Sequence, residues 1–81
     1  MLKKLSDFNV GETGRIAKVD GEGKIKRRLF DMGVTPGAEI ILMKKAPLGD
    51  PIEITIRGYE LTLRKTEASF VEVELNDGGN K

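Results

Sequence analysis

The chain has 81 residues, 38% of them hydrophobic, with 14 basic side chains against 13 acidic ones and neither cysteine nor histidine. A chain of this length folds as one domain with a small core, and the missing residue types exclude disulfides, thiolate metal centres and imidazole acid–base chemistry. A formal net charge of +1 supplies no overall field towards nucleic acid or an anionic membrane, so any basic surface has to be local.

The N-terminal stretch MLKKLSDF lacks an apolar run long enough for a signal peptide, and no later segment approaches the ~20 apolar residues that span a bilayer. A cytoplasmic protein is expected. TGRIAKV, residues 13–19, is the first and weakest strand signal. GEGKIKRRLFDMG, residues 21–33, breaks the period-two pattern. Ile25, Leu29 and Met32 fall at spacings of four and three, which predicts one short α-helix near residues 22–32 with those three side chains as its buried stripe. Phe30 lies ~100° round from Leu29 and borders the stripe. Asp20 or Glu22 suits the N-terminus, and Gly33 supplies the left-handed residue that stops the helix.

VTPG then turns the chain, with Pro36 and Gly37 suited to the central positions of a type II turn. In AEIILMKK four successive apolar residues, Ile40 to Met43, predict a strand buried on both faces. KKAPLGDPIE, residues 44–53, is a connection stiffened by two prolines. PIEITIR follows, where Ile52, Ile54 and Ile56 alternate with polar residues, and then ELTLR with Leu61 and Leu63. Gly58-Tyr59 between them predicts an antiparallel hairpin with a type II′ turn. FVEVEL, with Val71, Val73 and Leu75 on one face, is the expected closing strand. The expected class is mainly β: a small barrel of about five or six strands with one short helix. It is a single domain over residues 1–75, and the polar tail 76–81 is expected to be disordered.

Chemistry-bearing patterns are few. GEGKIK occupies the place of a phosphate-binding loop. A P-loop, however, needs a glycine five positions before Gly23 and a hydroxyl after the lysine, where Lys18 and Ile25 stand, so a flexible loop entering a helix is the reading. KIKRR, with Lys24, Lys26, Arg27 and Arg28, reads as the solvated face of an amphipathic helix. Its alternative is a phosphate-binding face of a small nucleic-acid-binding module, against which stands the lack of paired exposed aromatics for base stacking. Asp50 with Glu53, or Glu72 with Glu74, lack the several converging oxygens of a cation site. No catalytic, metal or cofactor-binding residue is assigned, and no enzyme is expected. Leu48, apolar in the middle of a Pro/Gly/Asp loop, either covers a barrel end or anchors a partner.

Taken in order, LFDMGVTPGAEI, APLGDPIEI and RGYELTLRKTEASFVEVEL resemble FeoA, the small cytosolic component of bacterial ferrous iron transport, over residues 5–75. The most specific parts are Leu29 to Gly33 with Pro36-Gly37, the PLGDP loop at 47–51, and LRKTEAS with Leu63, Arg64, Glu67 and Ala68. The resemblance implies an SH3-like barrel with no catalytic activity or cofactor, acting as an accessory to the membrane GTPase and ferrous iron permease FeoB. Nucleic acid and direct membrane insertion are not implied, and direct carriage of iron is disfavoured without thiolate or imidazole ligands. Charge and an exposed apolar anchor nominate Lys26, Arg27, Phe30, Leu48 and Asp50 as the face that meets this partner.

Overall fold

A computed structural model describes residues 1–76; the expected disorder of the tail falls, apart from Asn76, outside the described residues. Six strands form one antiparallel sheet: β1 (Leu2–Lys4), β2 (Thr13–Val19), β3 (Glu39–Lys45), β4 (Ile52–Ile56), β5 (Tyr59–Leu63) and β6 (Val71–Leu75). Their spatial order is β1-β6-β2-β3-β4-β5. A single 3-10 turn at Leu5–Asp7 follows β1, helix α1 (Lys24–Asp31) joins β2 to β3, and a one-turn helix α2 (Lys65–Ala68) joins β5 to β6. The barrel-like β class with a helix between residues 22 and 32 is therefore found. β1 and α2 are additions to the elements expected from sequence.

The core collects one face of each long strand. Ile52, Ile54 and Ile56 of β4, Leu63 of β5, Ile40 and Leu42 of β3, and Val71 and Val73 of β6 are all buried, as strict alternation requires of a sheet with one apolar face. Phe8, Leu5, Leu29 and Val34 close the space between the sheet and its connections. In β2 both Ile16 and Val19 are buried, although a spacing of three would put them on opposite faces. The register shifts between Ile16 and Lys18, whose partners are Val73 and Glu72, so a bulge at Ala17 reverses the phase and returns Val19 to the core. Gly14 permits β2 and β6 to approach: a Cβ there would stand 2.5 Å from Val73 Cγ1 and 2.6 Å from the Glu74 carbonyl oxygen.

Two expectations for the strands are corrected. β3 is buried on one face only, with Ile41 40% and Met43 45% exposed. It is a central strand, but no element among the described residues covers its outer side, and apolar runs do not by themselves report what lies opposite. The hairpin turn is Arg57-Gly58 rather than Gly58-Tyr59, since Ile56 pairs with Tyr59. Both turn residues have positive φ, 50° at Arg57 and 86° at Gly58, as in a type I′ turn whose twist matches that of the strands. Arg57, which adopts this conformation at a cost that glycine avoids, is held there by bonds to the α1 side of the molecule described below.

Glu12 organises the N-terminal segment. Its Oε1 accepts from the Asn9 backbone N–H at 2.7 Å and from Lys3 Nζ at 2.9 Å. The Asn9 hydrogen bond first, and the Lys3 ammonium second, hold the Glu12 carboxyl below its ordinary value of 4.5, because both interactions favour the charged form.

Candidate docking surface

Helix α1 buries little of itself. Among its eight residues only Leu29 is buried, and Ile25, expected in the buried stripe, is 38% exposed, while Met32 packs partly on the core. The helix thus touches the core along one narrow line, and the rest of its circumference is solvated. Its N-terminus is also unlike the expectation. Gly23 is the N-cap, with no side-chain cap bond, and the Asp20 carboxylate pairs instead with Lys18 at 3.3 Å.

The other end of α1 is tied to the β4–β5 hairpin. Gly33 has φ 92°, in the left-handed region that ends helices, and a Cβ there would collide with the Tyr59 hydroxyl. That hydroxyl donates to the Met32 carbonyl at 2.6 Å. Arg57 donates through Nε to the Gly33 carbonyl at 3.3 Å and through Nη2 to Thr35 Oγ1 at 2.6 Å. Carbonyls that a helix C-terminus leaves without partners are thereby bonded by residues more than twenty positions away, and α1 is fixed against the sheet.

Successive residues of a helix advance ~100°, which sorts the side chains of α1 into two flanks and a crest relative to buried Leu29. Lys26 and Phe30 share one flank, where Lys26 Nζ lies 5.9 Å from the Phe30 ring centroid, within the range of a cation–π contact. Lys24 and Arg28 share the other flank. Arg27 and Asp31 form the crest between them. Arg28 Nε reaches Glu67 Oε2 of α2 at 3.3 Å, so this second flank faces α2.

The loop between β3 and β4 meets the same flank. Asp50 and Pro51 line a cleft of about 390 Å³ with Arg28, Thr62, Arg64 and Glu67. Two carboxylates in it serve the start of α2: Asp50 Oδ1 accepts the Lys65 backbone N–H, and Glu67 Oε1 the Arg64 backbone N–H, each at 2.9 Å. These bonds satisfy amides that the first turn of a helix leaves without partners. The Arg64 guanidinium, which has no acceptor to offer, takes no part in this capping. Leu48 stands two residues before Asp50 at the tip of the loop, closed by a 2.7 Å bond from the Gly49 N–H to the Ala46 carbonyl, and its side chain is 91% exposed.

Of the five residues nominated from sequence, Lys26 and Phe30 are therefore side by side. Arg27 stands on the crest beside them, and Asp50 belongs with Arg28 on the far flank, with Leu48 two residues before it in the exposed loop. Sequence reasoning omitted Arg28, Arg64, Lys65 and Glu67 from this surface. The only local signal for them was that Glu67 follows Arg64 by three residues. A second groove, of about 540 Å³, crosses the outer side of β2, β3 and β4 and is lined by Arg15, Ile41, Thr55 and Arg57 among others; none of the nominated residues lines it. Among the described residues no side chain that is polar or charged is buried, no three carboxylate, histidine or cysteine groups converge, and no helix is long and apolar enough to cross a membrane.

Short antiparallel strands around one apolar core, with every charge of the described residues at the surface, define a small SH3-like β domain. The model of the FeoA domain matches residues 3–75, and the chain belongs to the FeoA family of ferrous iron transport. It is 36% identical over 72 residues to a Fe(2+) transport protein A/Fe(2+) transporter FeoB fusion protein of Porphyromonas gingivalis (strain ATCC BAA-308 / W83), a match covering 89% of this chain and 8% of that protein. The chain thus spans less than a tenth of that relative's length. The solution structure of iron(II) transport protein A from Clostridium thermocellum is similar with a TM-score of 0.88 and 42% identity, covering 94% of this chain and 47% of that one. The zinc complex of Stenotrophomonas maltophilia FeoA, described as a prokaryotic SH3 domain protein, is similar with a TM-score of 0.72 and 25% identity, over 94% of this chain and 89% of that one.

Proposed function

We propose that the protein is a non-catalytic accessory of ferrous iron uptake that docks on the cytoplasmic side of an FeoB permease and biases its GTPase or gating state. The observation that carries this reading is the relative in which an FeoA-like region and FeoB share one chain, because joining two modules raises the effective concentration of each for the other. The docking face runs over α1, from Lys26 and Phe30 on one flank across Arg27 on the crest to Asp50 and Leu48 of the β3–β4 loop beyond the other flank. Support comes from the fixed position of α1, whose C-terminus is bonded to the hairpin, and from the exposure of Phe30 and Leu48. A rigid element bearing exposed apolar side chains loses little freedom on binding. Docking changes the permease only if one of its conformations is bound more tightly than another. A tenfold bias requires a difference of about 1.4 kcal/mol between the two.

Calorimetric titration against the soluble GTP-binding domain of the cognate permease tests the proposal. Leu48→Ala and Phe30→Ala are each expected to weaken binding by roughly tenfold, about 1.4 kcal/mol, as truncated interface anchors do. Unchanged affinity in both variants removes the two anchors and with them this face.

A further inference from the structure

The structure brings together two basic segments that are 36 or more residues apart in sequence. α1 contributes Lys24, Lys26, Arg27 and Arg28, and the start of α2 contributes Arg64 and Lys65; the Arg28–Glu67 pair joins the two helices. Over these two elements six cations stand against two carboxylates, Asp31 and Glu67, a formal +4. The remainder of the chain therefore carries −3 for the overall +1. Two of the acids on this side are engaged, since Glu67 holds Arg28 and the Arg64 amide and Asp50 holds the Lys65 amide, while Asp31 stands on the crest of α1 beside Arg27. Of the six cations, Arg28 is paired and Lys26 lies over the Phe30 ring. Lys24, Arg27, Arg64 and Lys65 make no ion pair among the described residues.

From this juxtaposition we infer a site for an anionic phospholipid surface, formed by Lys24, Arg27, Arg64 and Lys65, with the Leu48 loop at its border. Long side chains without fixed partners, spread over two elements, match a plane of headgroups, which rewards the number of cations near it rather than a particular pairing geometry. An exposed apolar tip, Leu48, on the loop whose Asp50 bonds the Lys65 amide supplies the second signal that stable association with an interface needs. Single-stranded nucleic acid fits less well, because it also needs aromatic faces for its bases. Of the four aromatics, Phe30 lies on the other flank of α1, Phe8 is buried, Phe70 is partly buried against the core, and the Tyr59 hydroxyl is bonded to Met32. The inference goes beyond docking on a permease and does not depend on it, since the surface would act in the absence of any protein partner.

Co-sedimentation with vesicles of phosphatidylglycerol mixed into phosphatidylcholine, against vesicles of phosphatidylcholine alone, tests it with the intact chain. Binding to the anionic vesicles is expected, falling at least tenfold between low and physiological salt. A Lys24→Glu, Arg64→Glu, Lys65→Glu triple variant should lose that binding by a further tenfold or more, whereas Lys4→Glu, Lys18→Glu, Lys44→Glu, with the same change in net charge on the outer side of the sheet, should retain it. Amide spectra of both variants establish that they are folded. Absence of binding to anionic vesicles overturns the inference, as does equal loss in the two triple variants, which would make net charge the cause. A short DNA duplex or single strand that binds more tightly than the vesicles and displaces the protein from them also overturns it, assigning the surface to nucleic acid.

Discussion

The β4–β5 hairpin and helix α1 lie next to each other, are bonded together through Tyr59 and Arg57, and relate to the core in opposite ways. Three of the five residues of β4 are isoleucines with 1% exposure or less, so nearly every side chain of that strand is chosen either by the core or by the alternation that serves it. α1 commits one residue of eight to the core. The lesson is that the hairpin supplies stability while the helix, once fixed at its C-terminus, is free to carry recognition. A domain of this size can leave one element so lightly buried because strand pairing and the sheet's own apolar face supply the rest of its stability.

The largest expected effect is on the hairpin side of this contrast. Ile54→Ala empties a fully buried site and should cost ~2–5 kcal/mol, as large-to-small core changes do. By the same measure Phe30→Ala on α1 should stay within ~0.5 kcal/mol, in the range of surface changes. Urea unfolding of the two variants measures both, and comparable losses would abolish the distinction between the regions.

Next comes the joint between them. Gly33→Ala places a Cβ at positive φ and against the Tyr59 hydroxyl, and should destabilise by ~1–3 kcal/mol. It should also break the Tyr59–Met32 bond, visible as a shift of the Met32 carbonyl and of the amides of α1. A variant as stable as the parent, with α1 unmoved, would mean that the clamp does not position the helix.

The smallest effect concerns charge. The cations of α1 face solvent, whereas Glu12 is held by the Asn9 amide and Lys3. With its folded value depressed below 4.5, Glu12 contributes stability that is complete above that pH and is lost as pH falls through the lower, folded value. Glu12→Gln should therefore flatten the dependence of the urea midpoint on pH in the acid range below 4.5, while Lys26→Gln leaves it unaltered. The reverse result would place the titrating interaction on the helix.

Much of the sheet was legible because alternation states a physical fact, that one face is wet. Ile52 to Ile56, Leu61 to Leu63 and Val71 to Leu75 each fall where period two puts a strand. Ile41 and Met43 were misread because an apolar side chain on an outer face costs little and leaves no mark in local sequence. α2 left only the spacing of Glu67 after Arg64 as a trace in the sequence. Its N-cap is Arg64, whose guanidinium cannot accept a hydrogen bond, and one of its capping carboxylates comes from Asp50, fifteen residues before Lys65. The Arg57-Gly58 turn was placed one residue late because glycine alone suggested the first position. An arginine at positive φ becomes intelligible only once its bonds to Gly33 and Thr35 are seen. On the candidate surface, Lys26, Arg27 and Phe30 were readable as one exposed helix. The neighbourhood of Arg28 with Asp50, Arg64 and Glu67 is a product of tertiary structure, and no spacing along the chain encodes it.

The most direct measurement is an amide chemical-shift titration of the labelled protein with the soluble GTP-binding domain of its permease. Saturable shifts confined to α1 and the loop at 46–51, with β1 and the outer side of the sheet unmoved, are the predicted result. Saturable shifts centred instead on the groove of Arg15, Ile41 and Thr55 would contradict the assignment of recognition to the helix.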